Sequence, residues 1–356
     1  MIPALTIGFV VVPSFLLLAY FRARDLNPEP ARMLWKTFGW GVAICLPVIP
    51  VELAVGRIIA PLSALPYEHG LVHAMLGAAV PEELFKFGVV VLVCMRSRDF
   101  DEPMAGIVYG AVASLGFASL ENLFYVAGDA HSLRVAILRA VTAVPGHAFM
   151  GAIMGYYAGQ ARFGAEGSRV VNWVKAFTIP VVLHTLYDFP ALTQETLEKL
   201  QHGSATTGTL PFLTIAVLVF EWRMTVRLVH ALRFAQIAEV KQVVTGVATE
   251  LEAADILRAM AQPDPLPTAG PGYAMAIGGG ILAAFGGLMT LVVALGLALS
   301  SIPPGDVRNT VLGTLIVGVF PLLAGFAVFV KGARRIHASK PEAPPVVIRR
   351  APAPIV

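Results

Sequence analysis

The chain has 356 residues, of which 56% are hydrophobic and only 14% are charged, with a net charge of +3 and a mean hydropathy of +0.73. A soluble domain cannot bury so much apolar surface, whereas a lipid bilayer acts as a solvent for it. The small net charge and the lack of a sustained basic patch argue against a nucleic-acid partner. The two cysteines, Cys45 and Cys94, lie in apolar runs without a CxxC pattern, so we expect core residues and no disulfide.

Nine apolar runs are long enough to cross a bilayer as helices, which need about 20 mostly apolar residues each. They lie near residues 2–21, 38–60, 71–95, 104–127, 136–160, 170–190, 209–229, 273–300 and 309–330. The first run lacks a basic segment before it and a cleavage site after it, so we expect a retained anchor. The alternation typical of a β-barrel is absent from the sequence. We therefore predict an all-α fold, a polytopic transmembrane helix bundle of about nine spans.

Basic residues predict the orientation of this bundle. Lysine and arginine follow the first, third, fifth, seventh and ninth runs, and the opposite connections hold few of them. By the positive-inside rule, the N-terminus lies outside and the C-terminus is cytoplasmic. An odd number of spans also requires the two ends to lie on opposite sides.

The composition divides the chain into four parts. Residues 1–235 form the membrane domain of about seven spans. Residues 236–266 are expected to be a cytoplasmic amphipathic helix and linker, and residues 267–332 a C-terminal two-span module. Residues 333–356 form a Pro-rich basic tail, which we expect to be disordered and cytoplasmic.

Charged groups inside the spans are the main functional signal, because each costs at least about 2.5–3.5 kcal/mol at the bilayer centre. The third span contains Glu82, Glu83 and Lys86. The two carboxylates point about 100° apart on a helix, so we expect that they cannot share one partner. Lys86 then neutralises one of them, and the other is left for chemistry. In the second span, Glu52 and Arg57 are expected to pair or to reach the interface.

Three further spans each carry ionisable residues. Glu121 in the fourth is either functional or hydrogen-bonded to a neighbour such as Tyr125. His147 in the fifth is a candidate that by itself would more often be a core histidine. In the sixth, His184 and Asp188 are one helical turn apart, so the carboxylate can orient the imidazole, or the two form a helix-end pair.

The predicted depths of these residues agree. At 1.5 Å per residue, Glu82 and His147 lie roughly 16 Å from the outer surface, and Glu121 and His184 roughly 9 Å. Four helices thus bring two carboxylates and two imidazoles to the outer half of the bilayer, where we predict one site.

This set of side chains favours activation of water, and two mechanisms remain open. In the first, His147, His184 and a carboxylate such as Glu121 bind Zn²⁺, and another glutamate is the general base. In the second, no metal is present and a buried glutamate takes the proton from water. The sequence has no HExxH motif, and the spacing alone does not decide.

The motifs resemble those of the PrsW-type intramembrane proteases. Glu82 to Lys86 reads EExxK, Phe117 to Asn122 reads FxxxEN, and His184 to Asp188 reads HxxxD, with His147 in the helix between the last two. The wider superfamily includes CAAX prenyl proteases and bacteriocin-immunity membrane proteins, which typically show EExxxR and FxxxH. The differences favour the PrsW branch, and the resemblance covers residues 1–235.

The resemblance implies cleavage of a single-span membrane protein, such as an anti-sigma factor, near its extracytoplasmic side. It implies a multi-pass protein of the bacterial cytoplasmic membrane. It implies that Glu82 and Glu83 are catalytic or ligating carboxylates. It implies that Glu121, His147 and His184 are bases or metal ligands and that Asp188 orients His184. Lys86 and Asn122 are implied as supporting residues.

Two other classes of protein use similar residues. An ion-coupled transporter also places ionisable groups in its spans, but it would show internal repeats with broken helices in two halves, and the sequence shows none. A noncatalytic scaffold or immunity-type protein would keep its function when Glu82 or His184 is replaced.

Overall fold

The computed structural model describes residues 4–60, 66–128, 132–199 and 210–244, together with six residues between 324 and 332. These ranges are mainly helical and contain no strand, which confirms the all-α prediction for this part of the chain. The predicted eighth span, nearly all of the ninth, most of segment 236–266 and the tail lie outside the described residues. The division into four parts therefore stays a prediction.

Nine α-helices are numbered here in chain order. Their bounds are α1 Ala4–Arg24, α2 Ala31–Ile59, α3 Pro66–Val72, α4 Val80–Val89, α5 Pro103–Gly128, α6 Ser132–Val141, α7 Ala143–Phe163, α8 Arg169–Lys199 and α9 Leu210–Val244.

Five helical stretches in the described ranges are long and apolar enough to cross a membrane. They are Thr6–Arg24, Ala31–Ile59, Pro103–Ala127, Ser132–Phe163 and Glu166–Glu198. They correspond to the first, second, fourth, fifth and sixth predicted spans. The seventh lies within α9, whose 35 residues include several charges. The total of nine spans and the orientation of the termini remain predictions.

The third predicted span is helical from Pro66 to Cys94 but is not a uniform α-helix. Between α3 and α4 lies a π-helical segment, His73–Ala79, and a second one, Val90–Cys94, follows α4. Pro81 lies in the first turn of α4, where its missing N–H is least costly. Because π segments often occur at functional sites, their position on both sides of Glu82 and Glu83 draws attention to α4.

Close contact between α5 and α7 fixes the centre of the bundle. A Cβ atom at Gly110 would lie 2.2 Å from the carbonyl oxygen of Gly151, and one at Gly106 would lie 2.3 Å from that of Gly155. Such small residues allow two helix backbones to touch. The contact aligns α7, which carries His147, with α5, which carries Glu121.

A buried acidic cluster lies at one end of the bundle, outside the membrane spans. Glu29, in the connection before α2, is 3% exposed and accepts a hydrogen bond from the Tyr109 hydroxyl. The pKa of Glu29 is raised to about 8, mainly by burial and to a smaller extent by the nearby carboxylates of Asp25, Asp101 and Glu102, while the hydrogen bond from Tyr109 opposes the shift. This carboxyl group is therefore protonated in neutral solution.

The outer surface of the described helices carries many exposed apolar side chains. Examples are Leu16, Leu46, Ile58, Phe212 and Phe220. On α4, two adjacent residues differ sharply in exposure, since Leu84 is 52% exposed and Glu83 is fully buried. A bilayer provides the apolar surroundings that such a surface needs.

Candidate active site

The ammonium group of Lys86 occupies the centre of the predicted site. Its Nζ atom lies 2.9 Å from Glu82 Oε2, 2.9 Å from Glu83 Oε1 and 3.0 Å from His147 Nδ1. The side chain is 1% exposed and also lies 4.2 Å from the centre of the Phe117 ring. The expectation that the two carboxylates cannot share a partner is wrong. The long lysine side chain reaches both because the carboxylates precede it by four and three residues, adjacent positions on a helix surface.

His147 connects this ammonium group to Glu121. A lysine ammonium has only donors, so it donates to Nδ1, and Nε2 then carries the hydrogen. Nε2 lies 2.9 Å from Glu121 Oε2, which accepts it. The contacts on its two nitrogens thus fix both the tautomer and the orientation of the His147 ring.

His184 is held between two carboxylates. Its Nδ1 lies 2.9 Å from Glu83 Oε1, and its Nε2 lies 3.1 Å from Asp188 Oδ2 and 3.9 Å from Glu82 Oε2. The rings of His184 and His147 have their centres 5.4 Å apart and are nearly perpendicular. The structure therefore brings together the carboxylates of α4 and the imidazoles of α7 and α8.

Arg139, on α6, holds the residues of the FxxxEN motif. Its guanidinium lies 2.8 Å from Glu121 Oε2, and its Nε donates to Asn122 Oδ1. The same group lies 3.8 Å from the centre of the Tyr125 ring. Glu121 is therefore paired with a cation, and the alternative of a hydrogen bond to Tyr125 does not occur. The sequence analysis did not assign Arg139 to the site, although a cation in an apolar run is a signal of pairing with a buried carboxylate.

Four of the site residues fit a metal ion. One ligand atom from each of Glu82, Glu83, His147 and His184 lies within 4.8 Å of the others, and all four residues are buried. The second oxygen of Glu83, Oε2, is buried and has no hydrogen-bond partner in the described ranges, so it is available to a cation. Imidazole and carboxylate are common zinc ligands. Glu121 lies outside this group of four.

A cavity of about 430 Å³ opens beside the cluster. The acidic, basic and histidine side chains in its lining are Glu52, His73, Glu82, Glu121, Arg139, His147, His184 and Asp188. Glu82 therefore faces the cavity, and Glu83 lies behind it. Apolar side chains of α2 and α5 complete the wall. The cavity thus reaches Glu82, His147 and His184 of the cluster.

Two further glutamates near the site, Glu52 and Glu221, were not predicted from the sequence to belong to it. Glu52 lines the cavity and makes no ion pair with Arg57 in the described structure, so the expected pair does not form. Glu221, on α9, is fully buried, and neither of its carboxyl oxygens has a hydrogen-bond partner among the described residues. It lies next to Gly146, the residue before His147. The sequence signal was a lone glutamate in an apolar run.

Comparison with known proteins identifies the family. The profile of the PrsW family intramembrane metalloproteases matches residues 29–224. A Protease PrsW of Geobacillus kaustophilus is 37% identical over 188 residues, which cover 52% of this chain and 79% of the relative. The Protease PrsW of Bacillus subtilis is 34% identical over 180 residues, covering 50% and 79%. No solved structure matches the chain. These matches make the protein a peptidase, and the chain belongs to the PrsW family of intramembrane metalloproteases.

Proposed function

We propose that the protein hydrolyses a peptide bond of a single-span membrane protein, such as an anti-sigma factor, near its extracytoplasmic side. The observation that carries the proposal is the buried cluster of two carboxylates and two imidazoles at the wall of a cavity between apolar helices. The distribution of lysine and arginine supports the location, since it places the ends of α2 and α5 nearest to the cluster outside. Bacterial relatives support the cytoplasmic membrane of a bacterium as the site of action.

We assign different roles to the two adjacent glutamates. Glu83 is fully buried behind the cavity, and with His147 and His184 it would hold a divalent cation, which we propose to be Zn²⁺. Such a cation supplies Lewis acidity, which polarises the substrate carbonyl and makes water more acidic. Glu82 faces the cavity, where a water molecule and the substrate have access to it, and is the general base.

In the proposed hydrolysis, Glu82 carries one proton from the attacking water to the leaving nitrogen. Glu82 accepts a proton from the attacking water as the water oxygen bonds to the carbonyl carbon. When the carbon–nitrogen bond breaks, the carboxyl group gives this proton to the leaving nitrogen. The products are one carboxylic acid and one amine, and Glu82 returns to its initial state.

The other site residues act by positioning. Glu121, fixed by Arg139, accepts the Nε2 hydrogen of His147, and Asp188 holds Nε2 of His184. Outer partners of this kind orient a ligating histidine and raise its basicity. Lys86 balances part of the negative charge of the two glutamates, and Asn122 accepts a hydrogen bond from Arg139.

The test is cleavage of tagged single-span anti-sigma factors that are co-expressed with the protein. We expect Glu82→Gln, Glu83→Gln, His147→Ala and His184→Ala to abolish cleavage while each variant still inserts and purifies as a folded protein. Glu166→Gln, which makes the same chemical change at an exposed position, should keep wild-type activity. Cleavage that persists in all four site variants would overturn the proposed site.

Metal analysis of the same proteins separates the two mechanisms. Bound zinc in the wild type, lost in Glu83→Gln, His147→Ala and His184→Ala but retained in Glu82→Gln, would support the assigned ligands and base. A chelated, metal-free wild type that still cleaves at the full rate would instead favour a mechanism by glutamate alone.

A further inference from the structure

The cavity contains one carboxylate that the described residues leave without a partner. Glu52, on α2, is half-buried and lines the cavity together with the catalytic cluster. The other carboxylates of the lining are engaged: Glu82 by Lys86, Glu121 by Arg139 and Asp188 by His184. Glu52 makes no hydrogen bond or ion pair within the described ranges. Glu82, Glu121 and His184 line the same cavity as Glu52.

The ionised groups of the cavity lining, together with Glu83, Lys86 and a bound divalent cation, would balance without Glu52. Glu82, Glu83, Glu121 and Asp188 carry four negative charges when ionised. Lys86, Arg139 and a divalent cation would supply four positive ones, with both histidines neutral as ligands. A charge at membrane depth is usually paired, because an isolated one is poorly solvated there. A basic group of a molecule that enters the cavity can supply a counter-charge for Glu52.

The wall around Glu52 indicates what kind of group this is. Val48, Ile49 and Gly56 of the same helix provide apolar surface on either side of the carboxylate. A lysine or arginine side chain has a matching shape, since an apolar stem carries the charged head. Glu52 precedes the end of α2 at Ile59 by seven residues, or about 10 Å. A basic residue close to the end of a membrane span can reach this depth.

We propose that Glu52 determines specificity by binding a basic side chain of the membrane-spanning substrate inside the cavity. The inference rests on the proposed function, because it takes a single-span protein as the substrate. In this role Glu52 binds the substrate and is neither a metal ligand nor the general base.

Binding of synthetic single-span peptides to the protein in proteoliposomes tests this role without requiring cleavage. The peptides share one sequence and carry lysine, glutamine or glutamate at one position, which is moved through four successive residues near the end of the span. Energy transfer from a labelled peptide to the labelled protein measures the affinity. At the best position, the wild type should bind the lysine peptide at least about tenfold more tightly than the glutamine peptide.

Two variants make the prediction specific. Glu52→Gln should abolish the preference for lysine, and Glu52→Lys should reverse it in favour of the glutamate peptide. Glu166→Gln is the matched control and should bind as the wild type does. Equal binding of the three peptides by the wild type at every position, absence of binding, or a lysine preference that persists in Glu52→Gln would overturn the proposal.

Cleavage of the same peptides is measured in parallel. Charge-selective binding without any cleavage would contradict the proposed hydrolysis and leave the role of Glu52 in binding intact. Cleavage that does not depend on the charge of the peptide would support the proposed hydrolysis and contradict the role of Glu52. The two proposals therefore fail in distinguishable ways.

Discussion

Glu29→Gln should stabilise the protein at pH 8 and have little effect on its stability at pH 5. The carboxyl group is buried, and its pKa of about 8 in the folded protein lies above its ordinary value of 4.5. Between these two values the unfolded chain has lost a proton that the folded chain keeps. The free energy of unfolding of the wild type therefore falls as the pH rises through this interval, and above about pH 8 no further loss follows.

The size of the effect follows from the two pKa values. Relative to its value in acidic solution, the free energy of unfolding is lower by about 1 kcal/mol at pH 5 and by about 4 kcal/mol at pH 8, because Glu29 ionises more readily in the unfolded chain. Glutamine has the shape of the protonated carboxyl group and does not titrate. The stability difference between Glu29→Gln and the wild type should therefore grow by about 3 kcal/mol between pH 5 and pH 8.

Equilibrium unfolding in mixed detergent micelles, followed by circular dichroism at several pH values, measures this difference. Glu166→Gln should show a difference from the wild type that does not depend on pH, because Glu166 is exposed. A Glu29→Gln difference that is constant with pH, or that grows as the pH falls, would refute the conclusion that burial keeps Glu29 protonated.

Three further substitutions, with Gly39→Ala as a control, test the bundle and the site. Lys86→Met leaves two buried carboxylates without their cation and should lower the free energy of unfolding by about 3 kcal/mol, measured as above in metal-free protein. Arg139→Lys keeps the charge but loses the planar fork that contacts Glu121, so cleavage should slow by about tenfold or more with unchanged stability. Gly110→Ala places a methyl group on the α7 backbone and should destabilise by about 1–3 kcal/mol in the same unfolding assay. Gly39→Ala has open space around it and should be neutral or slightly stabilising.

The helices and the site residues were predictable from sequence because both depend on local patterns. Apolar runs of about 20 residues mark the spans, and a charge inside such a run is costly enough to indicate a function. Glu82, Glu121, His147 and His184 were found by this rule, and their predicted depths led to the expectation of a single site. The structure brings them together around Lys86.

The pairing of the charges was not predictable, because it depends on how the helices rotate and pack. The contact of Lys86 with both glutamates is an exception, because it follows from the spacing within α4, and the expectation of a single partner overlooked the length of the lysine side chain. Arg139 is 18 residues from Glu121 in sequence, and only the packing of α6 beside α5 brings them into contact. The π segments around α4 likewise have no clear sequence signal.

The abrupt change between Leu84 and Glu83 affects how the enzyme meets its substrate. Because one residue of α4 is exposed on the apolar surface while its neighbour is in the buried cluster, only the thickness of a helix separates the catalytic groups from lipid. A substrate that is itself a membrane span would diffuse in two dimensions within the lipid. Its cleavage rate would then follow the number of substrate molecules per lipid, and dilution of the vesicles in buffer would leave the rate unchanged.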